Sequence, residues 1–189
     1  YTSGQSALKH LEKNYKDKNF YHIGPPKDFD LFKLFEKNKI DNLKQSDFIL
    51  CTGLCEEYEE DLKYYAELFK NVIGKKMICT NPDLIVDRGN ITEYCAGSVA
   101  KIFEDLGGKV EYFGKPYPNV YQQAADIKNK KILCIGDNLN TDIKGANIQN
   151  FDSMLISSGI HKKEIDKNIE KVQFKYNVKI NYYQSHLKW

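Results

Sequence analysis

In "LCIGDNLNTDIKGA", residues 133–146, an apolar run ends in a glycine and then in two aspartates five positions apart. Asp137 closes the run and Asp142 falls where a helix is expected to begin. The preceding extended run, "KVEYFGKP", ends at Lys115, between Gly114 and Pro116. Carboxylate oxygens are the ligands that a hard cation such as Mg²⁺ accepts, and one or two of them leave room for waters and a substrate phosphate. A lysine offsets charge that develops on a transferring group. A helix opening near Asn140 to Asp142 adds free N–H groups and a favourable dipole for an anion. Each residue also has a plain use: Lys115 as a solvated cation, Asp142 as a first-turn acid, Asp137 as a turn former. Their order, strand–Gly-Lys-Pro and then strand–Gly-Asp-Asn-x-x-Thr-Asp, points to phosphoryl chemistry, provided that the two strands are neighbours.

Strand ends display such residues only if an α/β framework holds them. The periodicity predicts a helix over 3–14 with Ala7, Leu8 and Leu11 on one face, then a short strand in "NFYHIG" stopped by Gly24-Pro25-Pro26. An amphipathic helix is expected in "DLFKLFEKN", a buried strand in "SDFILCTG", a helix from Glu56 to Asn71, and a buried strand in "KKMICTNPD". "GSVAKIFEDLGG" reads as a helix and "KVEYFGKP" as a strand. A helix near "NVYQQAADI", the buried strand "KKILCIGD", the helix "DIKGANIQ" and the strand "FDSMLISSG" complete the alternation. Beyond about His161 the pattern is weak. Alternating strands and helices mean an α/β protein with parallel sheets.

With 189 residues, 41% hydrophobic and 29% charged, the chain has the composition of an ordinary globular protein. The net charge of +2 and a single arginine, Arg88, argue against nucleic-acid binding, which favours bidentate arginines and basic patches. No apolar run approaches the ~20 residues of a membrane-spanning helix, and no signal peptide is visible. The five cysteines lack zinc-site or redox CxxC spacing and are expected as buried, reduced thiols of a cytoplasmic protein.

"GKPYPNVYQQA", "ILCIGDNLNTDIKGA" and "LISSGIH" together resemble the back half of the haloacid dehalogenase superfamily. The closer likeness is to class IIA phosphatases of sugar phosphates and p-nitrophenyl phosphate. "ICTNPDLIVDRGN" with "YCAGSVAKIFE" resembles the cap inserted in those enzymes, and "TSGQSALKHL" resembles the segment just ahead of it. The resemblance implies a partial Rossmann-like core with an α/β C2-type cap: residues 1–19 as a remnant of core and linker, 20–109 as the cap, and 110–189 as the C-terminal half of the core. It implies that Lys115 steadies nucleophile and phosphate, that Asp137 ligands Mg²⁺, and that Asp142 orders the metal waters or Lys115. The turn from Asn81 to Arg88 becomes a cap loop, with Asn81, Asp83 and Arg88 as substrate contacts. The substrate implied is a small phosphorylated metabolite.

Family members attack phosphorus with an aspartate from an Asp-x-Asp motif at the end of the first core strand. That motif is expected ahead of Tyr1, in a missing N-terminal segment or chain. Asp28-Phe29-Asp30 has the spacing, but it follows Gly-Pro-Pro-Lys instead of an apolar strand and reads as a surface loop entering a helix. The chain is therefore expected to be inactive alone, with a homo-oligomer compatible with the sequence. The alternative is a non-catalytic binding or assembly module built on the same fold.

Overall fold

The computed structural model describes residues 1–58, 60–89, 91–124 and 130–188, and only the backbone of Asp87 and Arg88. In chain order the first 114 residues form α1 (Ser3–Asn14), β1 (Phe20–Ile23), a 3-10 helix (Pro26–Asn38) and β2 (Phe48–Cys51). Then come α2 (Leu62–Phe69), β3 (Lys76–Cys79), β4 (Ile85–Arg88), β5 (Ile91–Tyr94), α3 (Ala96–Asp105) and β6 (Lys109–Tyr112). Short 3-10 turns at Leu43–Gln45 and Glu56–Tyr58 fill the connections. The strands β1-β2-β3-β6 form one parallel sheet in that order.

A parallel sheet is covered on both faces, so its central strands are apolar: β2 throughout and β3 after Lys76. On one face Ile23, Ile49, Cys51, Met77 and Cys79 pack against Tyr65 and Phe69 of α2 and Val99, Ala100 and Phe103 of α3. On the other, Phe20, Phe48, Leu50 and Ile78 meet Ala7 and Leu11 of α1 and Phe29, Phe32 and Phe35 of the 3-10 helix. α1 begins with a capping box: the Thr2 hydroxyl accepts from Gln5 N–H while Gln5 returns a bond to Thr2 N–H.

Residues 115–189 form a second unit. It contains α4 (Pro118–Ala124), β7 (Leu133–Gly136), a π-helical turn (Leu139–Ile143), α5 (Lys144–Ile148) and β8 (Asp152–Ile156), then α6 (Lys162–Ile165), α7 (Ile169–Tyr176) and β9 (Tyr182–Gln184). The strands pair in parallel in the order β7-β8-β9. Leu155 packs with Leu139, Ile143 and Val172 on one face of this sheet. The opposite face is less covered: Leu133 is 43% and Tyr182 53% exposed.

The structure refines the sequence reading at several points, among them the helix expected over 56–71, which is a 3-10 turn and then α2, and the cysteines, of which Cys55, Cys95 and Cys134 are only half-buried. The helix expected over 30–38 is a 3-10 helix that begins at Pro26. The span from Asn81 to Arg88 is not all loop, because Ile85–Arg88 pairs antiparallel with Ile91–Tyr94. Leu133 is half-exposed, since β7 is hydrogen-bonded to a neighbouring strand on one side only among the described residues. By contacts the chain forms two compact units, Tyr1–Gly114 and Lys115–Trp189, and the first holds both α1 and β6 about one sheet. Finally, the tail holds two helices and a strand. Part of the helix expected near "NVYQQAADI" lies outside the described residues.

Candidate functional site

Lys115 and Asp142 meet, but not by the route expected. The strand before Lys115, β6, pairs with β3, whereas Asp137 follows β7 in the other sheet. The loop entering α4 carries the lysine to the carboxylate, and Lys115 Nζ donates to Asp142 Oδ1 in a close ion pair. Asp142 is 8% exposed, while the Lys115 side chain is half-exposed.

Asp142 is also tied to the turn that carries it. Its Oδ2 accepts the Asn138 N–H at 3.1 Å, and the Asn138 side chain accepts the Asn140 N–H at 2.9 Å. The Asn140 N–H expected to be open to an anion therefore already has a partner. Glycine at position 136 lets the Asp142 side chain lie across the end of β7, where a Cβ would meet Asp142 Cβ at 2.5 Å. Two further groups complete this neighbourhood. Burial pushes the Tyr121 hydroxyl and the Cys134 thiol up, Asp142 adds to both shifts, and Lys115 partly offsets that of Cys134.

Asp137 stands half-buried at the end of β7, and its Oδ2 accepts the Ile160 N–H at 3.4 Å. Among the described residues, no group of three His, Cys, Asp or Glu side chains could hold a metal ion by itself. The donor set is thus one carboxylate, Asp137, beside a second that is committed to a lysine. A Mg²⁺ that keeps several waters and takes substrate phosphate oxygens is satisfied by one or two carboxylates. These residues fit such an ion as a share of its shell.

Asn81 and Asp83 lie in the first unit, at the carboxyl end of β3. Asn81 Oδ1 accepts the Asp83 N–H at 3.1 Å, an Asx turn that shapes the loop. The Asp83 carbonyl accepts from Gly97 N–H, and Ser98 Oγ donates to the Leu84 carbonyl at 2.6 Å. The first turn of α3 thereby clamps the loop. Gly97 allows this approach, since a Cβ there would lie 2.7 Å from the Pro82 carbonyl carbon. The Arg88 side chain lies outside the described residues.

Sequence reasoning missed Thr52 and Thr80, which end adjacent parallel strands beside Asn81. With Asp28, Asn81 and Asp83 they line one cleft, and Thr52, Asp28 and Asn81 also line a neighbouring cleft of about 690 Å³ under the β4–β5 hairpin. His22, at the end of β1, shares a 2.8 Å hydrogen bond with Thr52 Oγ1. Burial, with Lys39 nearby, pushes the His22 imidazole down to about 4. The signal for the threonines was available: "ILCT" and "MICT" are two apolar runs that end in the same Cys-Thr pair. Asp28 and Asp30, rejected as an Asp-x-Asp motif, lie in the 3-10 helix.

Comparison with known proteins adds three kinds of likeness. Residues 112–179 match the HAD-hydrolase-like family model. Dihydroxyacetone phosphatase of Corynebacterium glutamicum is 31% identical over 91 residues, which are 46% of this chain and 33% of that protein. Ribonucleotide monophosphatase NagD of Escherichia coli is 31% identical over 117 residues, 60% of this chain and 45% of NagD. The chain therefore spans less than half of the curated relatives it matches. A haloacid dehalogenase-like hydrolase from Brucella suis superposes with a TM-score of 0.73 at 28% identity, over 85% of this chain and 62% of that one. A p-nitrophenyl phosphatase from Archaeoglobus fulgidus shares the fold, with a TM-score of 0.69 at 16% identity, over 96% of this chain and 69% of its own.

Proposed function

We propose, for a chain that belongs to the haloacid dehalogenase superfamily with class IIA phosphatases as its relatives, that it serves Mg²⁺-dependent hydrolysis of a small phosphorylated metabolite. The pairing of Lys115 with Asp142, beside an Asp137 that the lysine leaves alone, carries this reading. Asp137 would hold the Mg²⁺, which polarises phosphoryl oxygens when bound. Lys115, oriented by its bond to Asp142, offsets the negative charge of the phosphate. Asn81, Asp83 and Arg88 would be the substrate contacts that the family resemblance implies. Residues 20–109 would be the cap and 110–189 a part of the core. Five free thiols agree with a reducing, cytoplasmic setting.

None of these 189 residues is assigned as the attacking carboxylate, so an Asp-x-Asp segment from outside them supplies it. The test is hydrolysis of p-nitrophenyl phosphate with Mg²⁺. The chain alone is expected to show little or no turnover, and adding a segment that bears the Asp-x-Asp strand restores it. Robust turnover by the chain alone, abolished by Asp137→Asn, contradicts the missing nucleophile. A second reading, a binding or assembly module, is favoured by the half-exposed apolar face that carries Leu133 and Tyr182. It predicts a stable complex with the added segment and no activity.

A further inference from the structure

We infer that Gly159 is a positioning residue for the Asp137 carboxylate, an inference that rests on Asp137 being a metal ligand. Gly159 lies in the turn that follows β8, and its Cα faces the carboxylate at the end of the adjacent strand β7. A Cβ built on Gly159 would lie 2.7 Å from Asp137 Cγ and nearer still to Oδ2 and Cβ, and these are its three closest atoms. Real Cβ atoms do not come so near another heavy atom. Backbone conformation is not what selects glycine here, because its φ lies outside the left-handed region. The room taken by Asp137 selects it.

The turn itself is pinned by backbone hydrogen bonds. Ser157 N–H donates to the Gln184 carbonyl at 2.9 Å, and Ser158 N–H to the Ser185 carbonyl at 3.2 Å. Gly159 N–H reaches the Ile156 carbonyl, and the Gly159 carbonyl accepts from Lys162 N–H at 3.0 Å. His161, 8% exposed, sets its ring edge against Tyr176 with centroids 4.9 Å apart and anchors the far side. With the turn held on both flanks, an added methyl group moves the carboxylate. Ile160 N–H meanwhile holds Asp137 Oδ2. One carboxylate oxygen is thus seated on the turn, and the other would be left for a cation. Carboxylates that ligate metals depend on such supporting contacts for their aim.

The test uses the 189-residue chain, ¹⁵N-labelled, with Mn²⁺ as a paramagnetic probe. The unaltered chain should show broadening centred on the amides of residues 136–138 and 157–161, and Asp137→Asn should abolish it. Gly159→Ala should weaken Mn²⁺ affinity about 10- to 100-fold, the usual range for loss of a supporting contact. Gly74→Ala, where a Cβ meets nothing within 4 Å, should leave it unchanged. Broadening that does not depend on Asp137 removes the metal reading, and this inference with it. Asp137-dependent broadening that Gly159→Ala retains at full affinity overturns the positioning role alone. Thermal melts keep the inference testable should the alanine variant fold poorly. The cost of Gly159→Ala should shrink in an Asp137→Gly background, and an equal cost in both backgrounds overturns it.

Discussion

Asp137 and Asp142 are chemically alike, yet the fold gives them different work. Asp142 is buried, paired with Lys115 and bonded to the Asn138 backbone, so it is spent on orientation. Asp137 keeps a contact from the Ile160 N–H and has a glycine beneath it. The sequence showed both residues and their spacing; it could not show which of them the lysine would take, because that depends on the path of the loop into α4. Titration of a single side chain reaches the stability of the whole first unit through His22. Its folded pKa, about 4, lies below the roughly 6.5 of an unfolded histidine. As pH falls from 6.5 to 4, the unfolded chain takes up a proton that the native state does not, so stability is present above that window and lost within it. One such proton is worth up to about 1.4 kcal/mol per pH unit. Urea melts across this range should therefore show a shallower pH dependence for His22→Gln than for the unaltered chain. Equal slopes would mean that burial does not keep the imidazole neutral.

The 3-10 helix Pro26–Asn38 shows what periodicity does and does not encode. Phe29, Phe32 and Phe35 are all buried, each three residues from the next, whereas Leu34 is 73% exposed. A strict period of three places side chains one above another in a 3-10 helix and lets them drift around an α-helix. The helical assignment was therefore legible, and its type was written in the phenylalanine spacing. Phe32→Ala should cost about 3–5 kcal/mol in denaturant melts, the range for emptying a buried aromatic site. Leu34→Ala should stay within about 0.5 kcal/mol. Comparable losses at both positions would contradict the register. The β4–β5 hairpin was missed because its apolar residues face solvent: Ile85 is 54% and Ile91 65% exposed. Its sequence signal was Gly89-Asn90 between two β-branched runs, a turn pair that the family resemblance had absorbed into a cap loop.

Across the whole molecule, the class of fold followed from alternating apolar runs and helices, because parallel sheets demand that alternation. The pairing of the strands did not. Lys109–Tyr112 and Leu133–Gly136 are both extended runs ahead of a motif, and only hydrogen bonding assigns them to different sheets. That pairing pattern also has a consequence for how the chain reaches its native state. Every ladder in the two sheets is parallel, so each closes only after a helix-bearing crossover; even the shortest joins Leu133 to Asp152. The β4–β5 hairpin closes locally, on a scale of about 1–10 μs. Non-local pairing slows the search, so the main refolding phase should fall in the range of about milliseconds to seconds by stopped-flow circular dichroism. Complete recovery of the signal within the mixing dead time would contradict this. During that interval the strand runs "FILC" and "KMIC" are unpaired and apolar, and the yield of refolded protein should fall as protein concentration rises.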